Sequence, residues 1–275
     1  MTRLEYTFKT DTLFKILFVQ YPDLLKRLVA ELLGIKVESI GQFDVINPYI
    51  PPEVIDDKFC RLDINMAVDG QRVDLEIQVA NEGDYPERSL FYWARDYATA
   101  LGAGHGYSEL PRTVIISIVD FKLFDCTEFH SEFQSLEITR HTPLTDKMSL
   151  HYFKLPKLPK SVDADNGLEL WLALFNADTE EELKQMEDME VPIMKQAIGA
   201  YRNITATDEF KEIERMRSLA RHNEASALNH ARREERAKWQ SVVADKDAAL
   251  AIKDAALANV LAQLAALQSQ LNEGK

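Results

Sequence analysis

Asp63 and Glu76 are the two residues of this chain best placed to do chemistry together. They lie in the stretch Asp63–Val79, DINMAVDGQRVDLEIQV, whose two halves each alternate apolar with polar residues. Leu62, Ile64, Met66 and Val68 alternate with Asp63, Asn65 and Asp69, and Val73, Leu75, Ile77 and Val79 with Asp74, Glu76 and Gln78. A period of two marks half-buried strands, and Asp69-Gly70 between them is a strong hairpin-turn signal. If both apolar rows share a face, paired residue numbers must sum to an odd number, since a one-residue slip turns a whole row over. A two-residue turn gives the sum 139 and sets Asp63 opposite Glu76 and Asn65 opposite Asp74. A four-residue loop gives 141 and sets Asp63 opposite Gln78, with Glu76 on the diagonal. Directly paired Cβ atoms lie roughly 4.5–5.5 Å apart. Two carboxylates that close repel unless a proton or cation sits between them, so the spacing itself points to a cation site.

The elements around this hairpin follow from the same periodicities. Residues 11–33 read as one helix, with Phe14, Leu17, Phe18, Leu24, Leu25, Leu28 and Leu32 at helical spacing, Asp11 as its N-cap and Gly34 as its C-cap. Residues 37–46 read as a first strand, followed by a loop holding Pro48, Pro51 and Pro52. After the hairpin, Glu87–Leu101 reads as an aromatic-rich helix that stops at Gly102, Gly104 and Gly106. Thr113–Val119, TVIISIV, is β-branched throughout its apolar run and fits a strand buried on both faces. Residues 129–138 and 147–153 read as two more strands, and Asn166–Phe175 and Thr179–Met189 as helices, the second capped by Asp178 or Thr179.

Composition bounds what such a protein can be. A chain of 275 residues with 46% hydrophobic content and ten prolines is globular and large enough for one good-sized core plus an appendage. No apolar run approaches the ~20 residues that span a bilayer, and the start MTRLEYTFKTD lacks the apolar stretch of a signal peptide, so no membrane partner is expected. Two cysteines, Cys60 and Cys126, suit a reducing compartment, and the cytoplasm is the expected location. The net charge of −13 is unevenly spread. Residues 206–275 hold 11 basic and 11 acidic residues, which leaves 21 basic against 34 acidic in residues 1–205. Phosphate contacts come from Lys and Arg, so this balance weighs against a tight grip on DNA by a monomer.

From about Thr207 the chain changes character, and a division into 1–205 and a helical tail, 206–275, is expected. Val243, Leu250, Leu257, Leu264 and Leu271 recur every seventh residue, while the second seam position runs Lys246, Lys253, Val260 and Leu267. One good seam over this length predicts a coiled coil and a homo-oligomer formed through it, although an Ala-rich helix folded back on the core satisfies the same pattern.

The order helix, strand, acidic hairpin, helix, buried strand resembles the core of PD-(D/E)XK nucleases, and in particular the recombination-promoting nuclease/putative transposase family of bacteria. The likeness rests on Asp11-x-x-Phe14-Lys15-x-x-Phe18, Leu62-Asp63 and Glu76-Ile77-Gln78. It continues through Arg88-Ser-Leu-Phe-Tyr92-Trp93, the Gly104–Tyr107 segment before Leu110-Pro111, and His151-Tyr152-Phe153, covering about residues 8–155. It implies an α/β, restriction-endonuclease-like core with a mixed central sheet flanked by helices, followed here by the C-terminal long helix or coiled coil. It also implies metal-dependent cleavage of DNA, with Mg2+ or another divalent cation on Asp63, Glu76 and the Ile77 backbone carbonyl, and Gln78 as a catalytic residue. Two carboxylates suffice for Mg2+, which keeps several waters. Gln78 stands where the superfamily motif most often has Lys; it can orient a water but brings no charge.

Each candidate also has a plainer reading. The hairpin acids can simply solubilise a sheet face. Asp11 can be a further acid of the site or only a helix cap. Lys15 can touch phosphate or sit on a solvated helix face. Arg88 and Tyr92, at i and i+4 on one helix face, can contact phosphate and sugar or pack. A catalytically degenerate relative, acting as a DNA- or protein-binding module that oligomerises through its tail, is the alternative to an endonuclease tied to recombination or transposition. The three clustered glycines read as a turn, and no zinc spacing, Walker loop or nucleophile elbow is present.

Overall fold

The computed structural model describes residues 2–46, 63–102 and 104–273, with side chains for all of these except Glu224 and residues 267–273. Leu62, Cys60, the loop with Pro48, Pro51 and Pro52, and the heptad side chains of Leu267 and Leu271 lie outside the described residues. The described strands form one six-stranded mixed sheet: β1 (Phe43–Val45), β2 (Ile64–Val68), β3 (Gln71–Gln78), β4 (Thr113–Val119), β5 (His130–Phe133) and β6 (Met148–Lys154), in spatial order β1-β2-β3-β4-β6-β5. β3, β4 and β6 run parallel, and the other pairs are antiparallel.

The hairpin takes the tighter of its two registers. Ile64 pairs with Leu75 and Asn65 with Asp74, the sum of 139, because Asp69 (φ 47°) and Gly70 (φ 77°) both adopt left-handed conformations and close a two-residue turn. The odd-numbered residues Val73, Leu75 and Ile77 of β3 then join Ile64, Met66, Val114, Ile116 and Ile118 in the main core. That core is completed by α1 (Asp11–Gln20), α2 (Pro22–Leu33), α4 (Gly167–Asn176), α5 (Glu180–Asp188) and α6 (Pro192–Ala206). The even-numbered row, with Asp74 and Glu76, faces the other way, toward α3 (Tyr85–Thr99), where a smaller cluster forms around Tyr85, Ile115, Val119, Leu150 and Tyr152. β4 is buried along its whole length, as its β-branched run predicts.

Several expected elements are corrected by local chemistry. The single helix over 11–33 is two helices, since Pro22 offers no N–H and Tyr21 before it leaves helical space at φ −122°, ψ 69°. The N-cap of α1 is Thr10, and Asp11 is the first helical residue, where a carboxylate still favours the positive end of the helix. Gly34 ends α2 in the left-handed conformation. Residues 37–39 are a 3-10 turn, so the first strand is only Phe43–Val45. The strand expected over 129–138 stops at Phe133, apart from a bridge between Leu136 and Pro143. The helix expected over Glu87–Leu101 is α3 and starts at Tyr85, with Pro86 in its first turn. Thr179 caps α5 through a reciprocal pairing with Glu182. α6 was not expected at all; its Met194, Ala197, Ile198, Tyr201 and Ile204 recur at helical spacing and are buried.

The chain divides into two units, Met1–Glu214 and Arg215–Lys275. α7 (Asp208–Glu273) opens with Phe210 buried in the main core and Thr207 capping it. In the second unit Val243, Leu250, Leu257 and Leu264 are half or more exposed. By length and composition alone α7 is long and apolar enough to cross a membrane. Alanine supplies much of that apolar character.

Candidate active site

β2 and β3 bring the two acids together at one end of the sheet. Where β2 begins, the backbone N–H of Asp63 donates to Glu76 Oε1 at 2.8 Å, and the backbone N–H of Ile77 donates to Asp63 Oδ2 at 2.9 Å. The two carboxylates thus complete the ladder just beyond its last paired residues, Ile64 and Leu75. α1 supplies a cation to the same place. Lys15 Nζ lies 3.2 Å from Asp63 Oδ1 and 3.0 Å from Asp11 Oδ1. Asp11 is therefore linked to the site through Lys15, one helical turn away.

Burial sets the electrostatics. Glu76 is buried, and removal from water together with the neighbouring Asp63 charge pushes its carboxyl well above the usual carboxylate range. Asp63, whose side chain is 13% exposed, is also raised by burial, although Lys15 and the Ile77 N–H pull it back. Burial works against the Lys15 charge, yet Asp63 and Asp11 outweigh it and hold the ammonium above its ordinary value. Among the described residues, three carboxylates face one ammonium here, so their full ionisation outweighs that ammonium by two negative charges. That deficit and the hard oxygen donors fit one divalent cation. Among the described residues no three His, Cys, Asp or Glu side chains converge to hold a metal, so protein ligation would come from Asp63 and Glu76 with backbone oxygen and water.

The other candidates are placed as follows. Gln78 is half-buried, and its side-chain amide donates to the Ala80 carbonyl at 3.0 Å. Arg88 reaches Glu82 at 2.8 Å and stacks over the Tyr85 ring at 5.0 Å from its centroid. Tyr92 is half-buried, with its ring 6.5 Å from that of Phe91.

Three features escaped the sequence. Tyr85 is buried, and its O–H donates to Ser117 Oγ at 2.9 Å; Ser117 is the β4 partner of Glu76. Burial, with Glu76 nearby, raises the Tyr85 phenol far above its ordinary value and keeps it a proton donor. Lys9 joins Asp120 at 2.9 Å and Asp178 at 3.3 Å, and Asp120 N–H donates to the Gln78 carbonyl, so an ion pair borders the end of β3. Beneath α3, Asn65 donates to Asp74, and Arg72 pairs with Asp96 at 2.7 Å. The only sequence signal for the last group was the alternation that already placed Asn65 and Asp74 together.

The model of the PD-(D/E)XK nuclease family transposases matches residues 8–231 of this chain. No curated protein and no solved structure matches it. The six-stranded mixed sheet, its flanking helices and this match together give an α/β restriction-endonuclease-like fold with a long C-terminal helix.

Proposed function

The chain belongs to the PD-(D/E)XK nuclease family transposases, and from that premise we propose that it is a divalent-metal-dependent DNA endonuclease acting in recombination or transposition. The observation that carries the proposal is the meeting of Asp63 and Glu76 at the end of β3, buried, bonded through their strand ends and, among the described residues, short of positive charge. A divalent cation, Mg2+ in the first instance, would neutralise charge developing on the scissile phosphate and acidify a water. Asp63, Glu76 and the Ile77 carbonyl are the residues that would hold it. Lys15 supplies the fixed positive charge that Gln78 lacks, and Gln78 is left to orient water once its amide turns from Ala80. Arg88 offers a guanidinium to an adjacent phosphate, anchored meanwhile by Glu82 and Tyr85.

The tail completes the proposal. A homo-oligomer formed through the heptads of α7 brings two active sites to one duplex and makes weak contacts additive, which suits a chain of net charge −13. We place its action in the cytoplasm.

A second reading has its own support. The Gln78 amide is already satisfied by Ala80, and Lys15 already neutralises Asp63, as in a relative that binds without cutting. Supercoiled plasmid incubated with Mg2+ and wild-type, Asp63→Ala or Glu76→Ala protein separates the two. Nicking by wild type alone supports the endonuclease. Equal nicking by all three preparations overturns it as contamination. No nicking across Mg2+, Mn2+ and Co2+, with retention of DNA in a gel shift, establishes the binding module.

A further inference from the structure

At the same end of the sheet, the strand registers align Gln78 with Val119 and Val119 with Lys154, which places Lys154 about 10 Å from Gln78 across two strand spacings. Lys154 is fully buried. Its ammonium donates to the Ser131 hydroxyl and lies 3.5 Å from Cys126 Sγ, over the face of Phe124. Lys157 sends its ammonium to the same sulfur, also at 3.5 Å, and to the carbonyls of Phe124 and Cys126. Among the described residues neither ammonium has a carboxylate within ion-pair distance; Glu128 acts on Lys154 only from farther away. Two cations, one of them out of water, therefore converge on a single group able to become an anion, the Cys126 sulfur. The acceptor that would hold it as a neutral thiol, the Glu128 carbonyl, is farther, at 3.7 Å, and Ser131 adds a hydroxyl at 3.9 Å. Cys126 is partly exposed and lines a cavity of about 470 Å³ with Lys122, Phe124 and Lys157, wide enough for a small reagent.

We propose that Cys126 is held as a thiolate between Lys154 and Lys157 and is a site of modification by hydroperoxides and other small electrophiles. The thiolate is the reactive form of cysteine, and neighbouring ammonium groups favour it. Consistently, Ser131, Lys154 and Lys157 together outweigh burial and lower the thiol's pKa. With hydrogen peroxide the sulfur attacks one peroxide oxygen, and an S–O bond forms as the O–O bond breaks. Hydroxide leaves and takes a proton from solvent to become water. Sulfur is oxidised by two electrons, the peroxide is reduced, and a thiol reductant reverses the step. The inference stands independently of the nuclease reading.

The test uses the full chain carrying Cys60→Ser, which leaves Cys126 as its one thiol. Iodoacetamide alkylation is followed by intact mass between pH 5 and 10, and peroxide oxidation by trapping the sulfenic acid with dimedone. The expected result is alkylation that levels off at a lower pH than that of free cysteine, with dimedone adducts formed at micromolar peroxide. Lys157→Gln should slow alkylation at pH 7 by roughly three- to tenfold, as should Lys154→Met where circular dichroism shows it folded. An alkylation profile that follows free cysteine, or rates unchanged in Lys157→Gln, overturns the proposal.

Discussion

Asp63 and Glu76 hold one another in place: the Asp63 N–H donates to Glu76 Oε1, while Asp63 Oδ2 accepts the N–H of the residue after Glu76. The acids are therefore part of the hairpin's own bonding, and their charge is the strained component. Glu76→Gln keeps an oxygen for the Asp63 N–H and removes the charge. It should fold with a melting temperature at or above wild type in EDTA, yet lose at least about hundredfold in nicking rate. A variant that nicks normally would show that the Glu76 charge has no part in the reaction.

The same acids set a pH dependence. Glu76 and Asp63 both have folded pKa values above their ordinary ones, so the folded state binds more protons than the unfolded chain. The stability this gives is full below about pH 4, the unfolded range, and is lost as pH rises through the raised folded values. Metal-free protein should thus melt at falling temperature from about pH 4 upward. Saturating Mg2+ should flatten the slope by supplying the missing positive charge, and Glu76→Gln should reduce it without metal. Melting curves in EDTA and in Mg2+ across this range check both, and identical slopes in the two would leave no cation at the site.

On the endonuclease proposal, Lys15 would compete with a metal for Asp63 while serving the reaction. With a side chain 18% exposed and two carboxylate partners, its loss should cost metal-free protein about 2 kcal/mol, less than the ~3–5 kcal/mol of a fully buried pair. Lys15→Met should therefore bind Mn2+ more tightly by calorimetry and nick more slowly. Weaker Mn2+ binding would instead make Lys15 a support for the site's geometry.

The hairpin was legible because its alternation, its Asp-Gly turn and its parity rule are local, and together they left only two registers. β4 was legible because an unbroken β-branched run admits one reading. Lys15 was not: its approach to Asp63 joins residues 48 apart in sequence through the packing of α1 on the sheet, which no periodicity encodes. The break at Pro22 was readable from proline chemistry, but the continuous apolar stripe masked it. Gln78 shows the converse limit, since sequence gave its face and only the structure gave its partner, Ala80.

Asp74 on β3 and Asp96 on α3 face one another, yet they should respond oppositely to amidation. Asp74 is fully buried, its Oδ2 has no hydrogen-bond partner among the described residues, and burial with the nearby Asp96 charge drives its carboxyl well above the usual range. Asp74→Asn should cost nothing or raise the melting temperature at pH 8. Asp96 holds Arg72 at 2.7 Å, so Asp96→Asn should destabilise by about 1–3 kcal/mol. Urea denaturation of both variants at pH 8 decides the matter. Equal destabilisation would place a charge, and hence an unseen cation, on Asp74.

Val243, Leu250, Leu257 and Leu264 form a row along α7, each between 50% and 60% exposed. Lys246 and Lys253 occupy the second seam position early on, and Val260 takes it later, so association should be strongest toward the C-terminal end of the tail. Each buried leucine contributes roughly 1.5–3 kcal/mol. Leu257→Asp with Leu264→Asp should then weaken self-association more than about a hundredfold and give a monomer by light scattering. Removal of residues 240–275 should do the same, and in both cases nicking per active site should fall as the second site is lost. A wild type already monomeric at micromolar concentration removes the coiled coil from the account. Co-sedimentation of that monomer with phospholipid vesicles, abolished by the same two substitutions, would then assign the apolar row to a bilayer surface instead.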